Sequence, residues 1–313
     1  MEYKTHLFSF FGIALVLNCA SLKREVRLQL TGAAYCLSSN VQYKYPVPNL
    51  AEIKKKIEDP ILKTKYSQNS LKIAAAYGLI DDLKKHIELT KARKTQSSEF
   101  KELELSLLYK LGFIHTDLDS LVSEMNCYID RFSEIINMMD ENQTDIVYTY
   151  SIYAIMVGAA QALLEGIEID SNLWSQRIVL TGGILATYFS YVAFTPEVTV
   201  EFRPKSTNLK DLWYKPEKTD NYSTSLWFLM TKNLEGEEKP TVRDFLINRW
   251  IENKFLGEEG EEREAKVELF FGRGGVSTIG DIRNRQEMIK HIRTTISIFE
   301  QDLRALVVEF MKE

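Results

Sequence analysis

The stretch 107–139, LLYKLGFIHTDLDSLVSEMNCYIDRFSEIINMM, decides the fold. Leu107, Leu111, Ile114, Leu118, Leu121, Met125, Tyr128, Phe132, Ile135 and Met139 recur at alternating steps of four and three. Side chains at that spacing line one side of a helix and form the a/d seam of a coiled coil or long bundle. The same register runs on through Ile146, Thr149, Tyr153, Met156, Ala160, Leu163 and Ile167. Residues 107–167 therefore read as one helix about 90 Å long, with Asn142-Gln143-Thr144 as the place where it would kink.

Gly166 offers a C-cap and Asp170 or Ser171 an N-cap. The pattern resumes at Trp174, Ile178, Thr181, Leu185, Tyr188 and Val192, so the chain is expected to turn near Asn172 and run back antiparallel, ending before Pro196. Near the C-terminus, Ile282, Ile289, Ile296, Leu303 and Phe310 are spaced by seven, with Ile292, Phe299 and Leu306 between them and Arg285 as the exception. That predicts a third long helix over 279–312, packed on the first two.

Shorter helices are expected before residue 107. Leu22, Val26, Leu30, Ala33 and Leu37 share a helical face, Asn49 with Glu52 forms a capping-box pattern, and 71–89 reads as a helix pair around Gly78. Residues 196–278 change character. Val198 to Phe202 alternates like a strand, 225–230 reads as a second strand, and Thr241 caps a helix to about residue 256. The expected class is mainly α: an elongated antiparallel helical bundle or coiled coil with a small irregular or β-containing insert. Its divisions are 1–18, 19–106, 107–195, 196–278 and 279–313.

Composition narrows the function classes. The 313 residues include 39 basic and 44 acidic ones, a net charge of −5, which argues against a nucleic-acid coat. Three scattered cysteines exclude a disulfide-dense scaffold and a Cys-based zinc module.

Residues 1–18 read as a secretory signal: Lys4 and His6 in a polar start, then the eleven-residue apolar run 7–17. That run is too short to span a bilayer, which needs about 20 residues. Asn18-Cys19-Ala20-Ser21 follows, and an apolar run ending in Cys resembles the lipobox of bacterial lipoproteins. The resemblance implies that Cys19 becomes the lipidated first residue. Asn18 departs from the usual small residue before the Cys, as in the looser spirochaete-like pattern. The other readings of this segment are a plain cleaved signal or an uncleaved anchor. Export leaves Cys36 and Cys127 either paired, closing a long loop worth about 4–5 kcal/mol, or as two buried unpaired thiols.

Catalytic patterns are weak. Gly272-Arg273-Gly274-Gly275-Val276-Ser277-Thr278 precedes a helix but lacks the Gly-Lys-Ser/Thr step and the third glycine of nucleotide loops, so it reads as a turn with Ser277 or Thr278 as cap. His115 with Asp119, and Asp82 with His86, are i,i+4 pairs without a third ligand. The acidic run 258–262 lacks calcium-loop spacing. No cofactor is expected.

The informative feature is the hairpin 146–196. Its arms, 146–164 and 178–196, are each nineteen residues without a charge. Each carries a small-xxx-small step, and folding about Asn172 sets Gly158 against Ala186 and Ala162 against Gly182, a close crossing of the kind membrane helices favour. The layout resembles that of the ClyA-like helical pore-forming toxins. Against lipid stand Tyr148, Thr149, Tyr150, Ser151, Tyr153 and Gln161 in one arm and Thr181, Thr187, Tyr188, Ser190 and Tyr191 in the other, a polarity that suits a hairpin packed inside a soluble bundle or an oligomer interface. Two functional readings follow. One is an exported, lipid-anchored helical scaffold or binding protein of the cell envelope, touching the membrane through its N-terminal lipid and a protein partner or second copy through the bundle. The other is a membrane-inserting or pore-forming protein using 146–196.

Overall fold

The computed structural model describes residues 28–29, 36, 49–165, 172–194, 198–203, 208–234 and 239–312, and it is mainly α. Four short helices come first: α1 (Leu50–Ile57), α2 (Pro60–Lys63), α3 (Gln68–Ala76) and α4 (Ile80–Lys91). Local chemistry sets their ends. Asn49 Oδ1 accepts from the Ala51 and Glu52 N–H groups at 3.1 and 3.3 Å, satisfying donors the first turn leaves open. Between α3 and α4 the chain reverses at Gly78, whose φ of +71° lets the Leu79 N–H reach the Ala74 carbonyl at 2.7 Å.

The helical face expected at Leu22, Val26, Leu30, Ala33 and Leu37 lies outside the described residues. Between them Leu28–Gln29 is strand β1, paired parallel to β2 (Thr199–Phe202) with Leu28 opposite Val200.

The expected long helix is α5 (Ser98–Glu165, 68 residues), followed by α6 (Asn172–Phe194). Asn142 and Thr144 do not interrupt α5. Their side chains bond back to the Met138 and Asp140 carbonyls at 2.7 and 2.8 Å, leaving the helix continuous. The chain divides into two compact units, and the boundary falls inside α5 between Ser133 and Glu134. The first holds Glu134–Glu201 with Val276–Ile282; the second holds Thr31–Ser133, Phe202–Gly275 and Arg283–Glu313.

The insert is more helical than its sequence suggests. It contains α7 (Asn208–Tyr214), α8 (Thr224–Thr231), α9 (Val242–Glu252) and α10 (Glu261–Phe271), then β3 (Gly275–Thr278), in a sheet ordered β1-β2-β3. The run 225–230, expected as a strand, is α8 instead. Ser225 to Thr231 are all buried, so no polar face remains to betray a helical period, and Ser223 caps its start. Thr241 and Asp244 form a capping box on α9. Trp213 stacks on Phe271 at 4.7 Å, joining α7 to α10.

The last helix, α11 (Ile279–Met311), begins with a second reciprocal cap: Thr278 Oγ1 accepts from the Asp281 N–H, and Asp281 Oδ2 accepts from the Thr278 N–H. In the second unit α11 runs antiparallel to the first half of α5. Gln286 Nε2 donates to the Ile129 carbonyl and Ser133 Oγ at 2.9 and 2.7 Å, and Arg293 donates to Asn126 Oδ1 at 3.0 Å. Leu107, Leu118, Met125, Ile292, Ile296 and Leu306 are fully buried between them.

Along α5 the buried stripe departs from the expected heptad in one respect. Ile129 and Ile136 are buried and Tyr128 only half-buried. A straight α-helix repeats every 3.6 residues, so a stripe predicted at 3.5 drifts by about 20° per heptad. By Tyr150, Val157 and Gln161 the half-covered face lies one residue on from the predicted Thr149, Met156 and Ala160.

Candidate functional site

In the first unit, α6 lies antiparallel on the C-terminal half of α5. Phe189 packs against Tyr150 and Tyr153 at 6.1 and 5.6 Å between ring centroids. Further along, the Gln161 side chain lies over Gly182, so close that a Cβ added there would meet its Oε1 at 2.9 Å. The expected hairpin is present, with Phe189 level with Tyr150 and Tyr153 and Gly182 level with Gln161.

The expected pairing of small residues is not. Gly158 and Ala162 face solvent, and a Cβ at Gly158 would meet nothing within 4 Å. Gly182 and Ala186 are half-covered on the inter-arm face, but Gln161 fills the space reserved for Ala162. The one-residue drift of the α5 stripe causes this, turning the Gly158 face away from α6.

The outer faces of both arms are apolar and open. Ile155, Met156 and Leu163 are 70, 62 and 73% exposed, and Leu180 and Ile184 are 65 and 46% exposed. Among the described residues α5 is the one helix long and apolar enough to cross a membrane, and none of its most apolar window is buried. Asp145 and Glu165 bound the charge-free run in α5, twenty residues apart, or about 30 Å at 1.5 Å per residue. That equals the thickness of a bilayer's hydrocarbon core, about 30 Å.

Tyr148, Tyr150 and Tyr153 on α5 and Tyr188, Phe189, Tyr191 and Phe194 on α6 all fall at the root end of the hairpin, where they form an aromatic collar. Thr181 and Thr187 donate to the Arg177 and Gly183 carbonyls at 2.7 and 2.8 Å, so neither hydroxyl needs water. Gln161 is turned toward the partner arm rather than outward.

Of the other predicted positions, Cys19 and the signal segment 1–18 lie outside the described residues. Cys36 and Cys127 form a disulfide, closing a loop across 91 positions of sequence. Of the i,i+4 pairs, Asp82 and His86 are drawn apart: Asp82 takes Lys110 at 2.6 Å, and His86 is buried between Phe100 and Phe310, each ring 4.8 Å away. Burial lowers the His86 pKa and keeps the ring neutral. Among the described residues no group of three or more His, Cys, Asp or Glu side chains could hold a metal ion. The glycine-rich segment supplies β3 and the α11 cap, and Arg273 is bound to Glu268 at 2.9 Å.

Of two further polar centres, Asp117 had no sequence signal and Arg285 showed only as a break in the seam. Asp117 accepts from Ser223 Oγ and Tyr77 OH at 2.6 and 3.0 Å, tying α5 to α8 and α3, and burial raises its carboxyl pKa. Arg285, the exception in the seam, is fully buried. It donates to the Phe270 carbonyl and lies 4.6 Å over the Phe202 ring. Desolvation brings its pKa down to about 9. A cavity of about 200 Å³ beside α3, α9 and α11 is edged by Lys72, Lys232 and Asp302, the last bonded to Asn69 at 3.1 Å.

In comparisons with known proteins, no family model, no curated protein and no solved structure matches this chain.

Proposed function

We propose that this is an exported, lipid-anchored helical protein of the cell envelope whose hairpin 146–196 enters a lipid bilayer. One observation carries the reading: two antiparallel charge-free arms keep their large apolar side chains in solvent over a length that fits a hydrocarbon core. Two helices cover only one stripe of each other, and among the described residues nothing covers the remaining apolar surface. The aromatic collar sets the root at an interface, and the back-bonded threonines lower the cost of placing the arms in lipid.

Export is supported by the signal-like start and by the disulfide between Cys36 and Cys127, a bond that persists in oxidising compartments. The anchor is supported by the lipobox-like Cys19 alone. Metabolic labelling with a fatty acid tests it: label incorporated by the parent and lost in Cys19→Ala supports the anchor, and an unlabelled parent removes it.

Insertion is tested on the Cys19→Ala chain carrying an environment-sensitive fluorophore on Leu163→Cys. On vesicles the emission should shift to the blue and be quenched by brominated lipid. A fluorophore that stays water-exposed on vesicles of every composition would overturn the reading.

A further inference from the structure

Resting on that reading, we infer that the hairpin selects bilayers whose surface carries no net negative charge. The basis is the charge around the inserting element. From 132 to 202 the chain holds nine acidic residues and one basic residue, Arg177, a net charge of −8. The other residues hold 35 acidic and 38 basic ones, a net charge of +3, and Arg131 and Arg203 flank the acidic segment.

Elements that seek anionic membranes place lysine or arginine beside the apolar segment, where each is attracted by the lipid headgroups. Here the root has the opposite sign. Glu141 and Asp145 are exposed on α5, within two turns of the aromatic collar at Tyr148. Once the collar sits at the interface, those carboxylates stand at headgroup depth, inside the Debye length over which surface charge acts. An anionic surface repels them, and a zwitterionic one does not. Apolar area drives entry, and the carboxylates decide which lipid surface permits it.

The experiment compares the Cys19→Ala, Leu163→Cys fluorophore chain on phosphatidylcholine vesicles with vesicles to which phosphatidylglycerol has been added, at low and high salt. Adding phosphatidylglycerol at low salt should weaken partitioning by about tenfold, and high salt should restore most of it. Glu141→Gln/Asp145→Asn, two exposed substitutions that leave the apolar arms unchanged, should reduce the loss. Equal or tighter partitioning into the anionic vesicles, or a loss the double variant leaves unaltered, overturns the selectivity while leaving insertion standing. Absence of a blue shift on either vesicle overturns insertion itself.

Discussion

Replacing Gly182 by Leu should open the hairpin, while the same change at Gly158 should not. A Cβ at Gly182 would stand 2.9 Å from Gln161 Oε1, 3.4 Å from its Cδ and 3.6 Å from its Cβ. The nearest of these is the tip of a flexible side chain, so Gly182→Ala needs only a small shift of that amide. Leucine adds three more carbons to the space the Gln161 stem already occupies. Overpacking of that kind costs about 1–3 kcal/mol, and each 1.4 kcal/mol or so is about tenfold in the ratio of open to closed arms. At Gly158 nothing lies within 4 Å. Leucine there points into open space, and it is the better helix former by about 0.8 kcal/mol. Spin labels on Leu163→Cys and Leu180→Cys, 73 and 65% exposed on the two arms, read the separation by pulsed dipolar spectroscopy. The parent, Gly182→Ala and Gly158→Leu should give one narrow distance, and Gly182→Leu a longer and broader one. If Gly158→Leu is the disruptive change, the register derived from Gln161 over Gly182 is wrong.

Removing the disulfide with Cys36→Ser/Cys127→Ser should cost about 4–5 kcal/mol on the chain-entropy model, given a separation of 91 positions. A denaturant midpoint that barely moves would mean that the loop is already constrained when unfolded. The raised pKa of Asp117 favours its protonated form in the folded chain. Its contribution is therefore favourable below the unfolded value of about 3.9 and is lost as pH rises through the folded one. Asp117→Asn keeps acceptors for Tyr77 and Ser223 without a charge and should melt above the parent near neutral pH, the gap closing toward about pH 3; a gap independent of pH contradicts this. Met125→Ala, at a fully buried position on α5, should cost about 2–5 kcal/mol. Leu163→Ala, on the same helix but exposed, should leave stability within about 0.5 kcal/mol; chemical denaturation of both variants without lipid makes the comparison.

What the sequence disclosed and what it withheld follow from the range of the interactions involved. The seam from Leu107 to Met139 and that of α11 were legible because packing between long helices repeats the same contact every turn. The drift to Ile129 and Ile136 was not: helices free to supercoil keep a 3.5 repeat, and a helix held straight does not. Arg285 announced itself only as an interruption. Its burial depends on Phe202 and Phe270, brought to it from elements far off in sequence. The 225–230 run was misread because burial on every side erases the polar face that distinguishes helix from strand. β1 was hidden for another reason, its partner lying at Val200. The charge imbalance over 132–202 was visible throughout, but it acquires meaning only when both arms belong to one exposed element.

The proposed insertion of the hairpin rests on which faces of its arms are covered. Two antiparallel helices can cover about one stripe of each other, which here comprises Tyr150, Val157 and Gln161 on α5 and Gly182, Ala186 and Phe189 on α6. A hairpin made for water would place its apolar residues on that stripe and charges elsewhere. Here Gln161 faces inward beside Tyr150, Val157 and Phe189, while Ile155, Met156, Leu163 and Leu180 face outward with no charge among them. Burying each such side chain is worth about 1.5–3 kcal/mol, a gain the hairpin forgoes wherever water surrounds it. An outer face that is apolar and free of charge is what lipid rewards. A protein partner broad enough to cover both arms would do so only by enclosing them on every side.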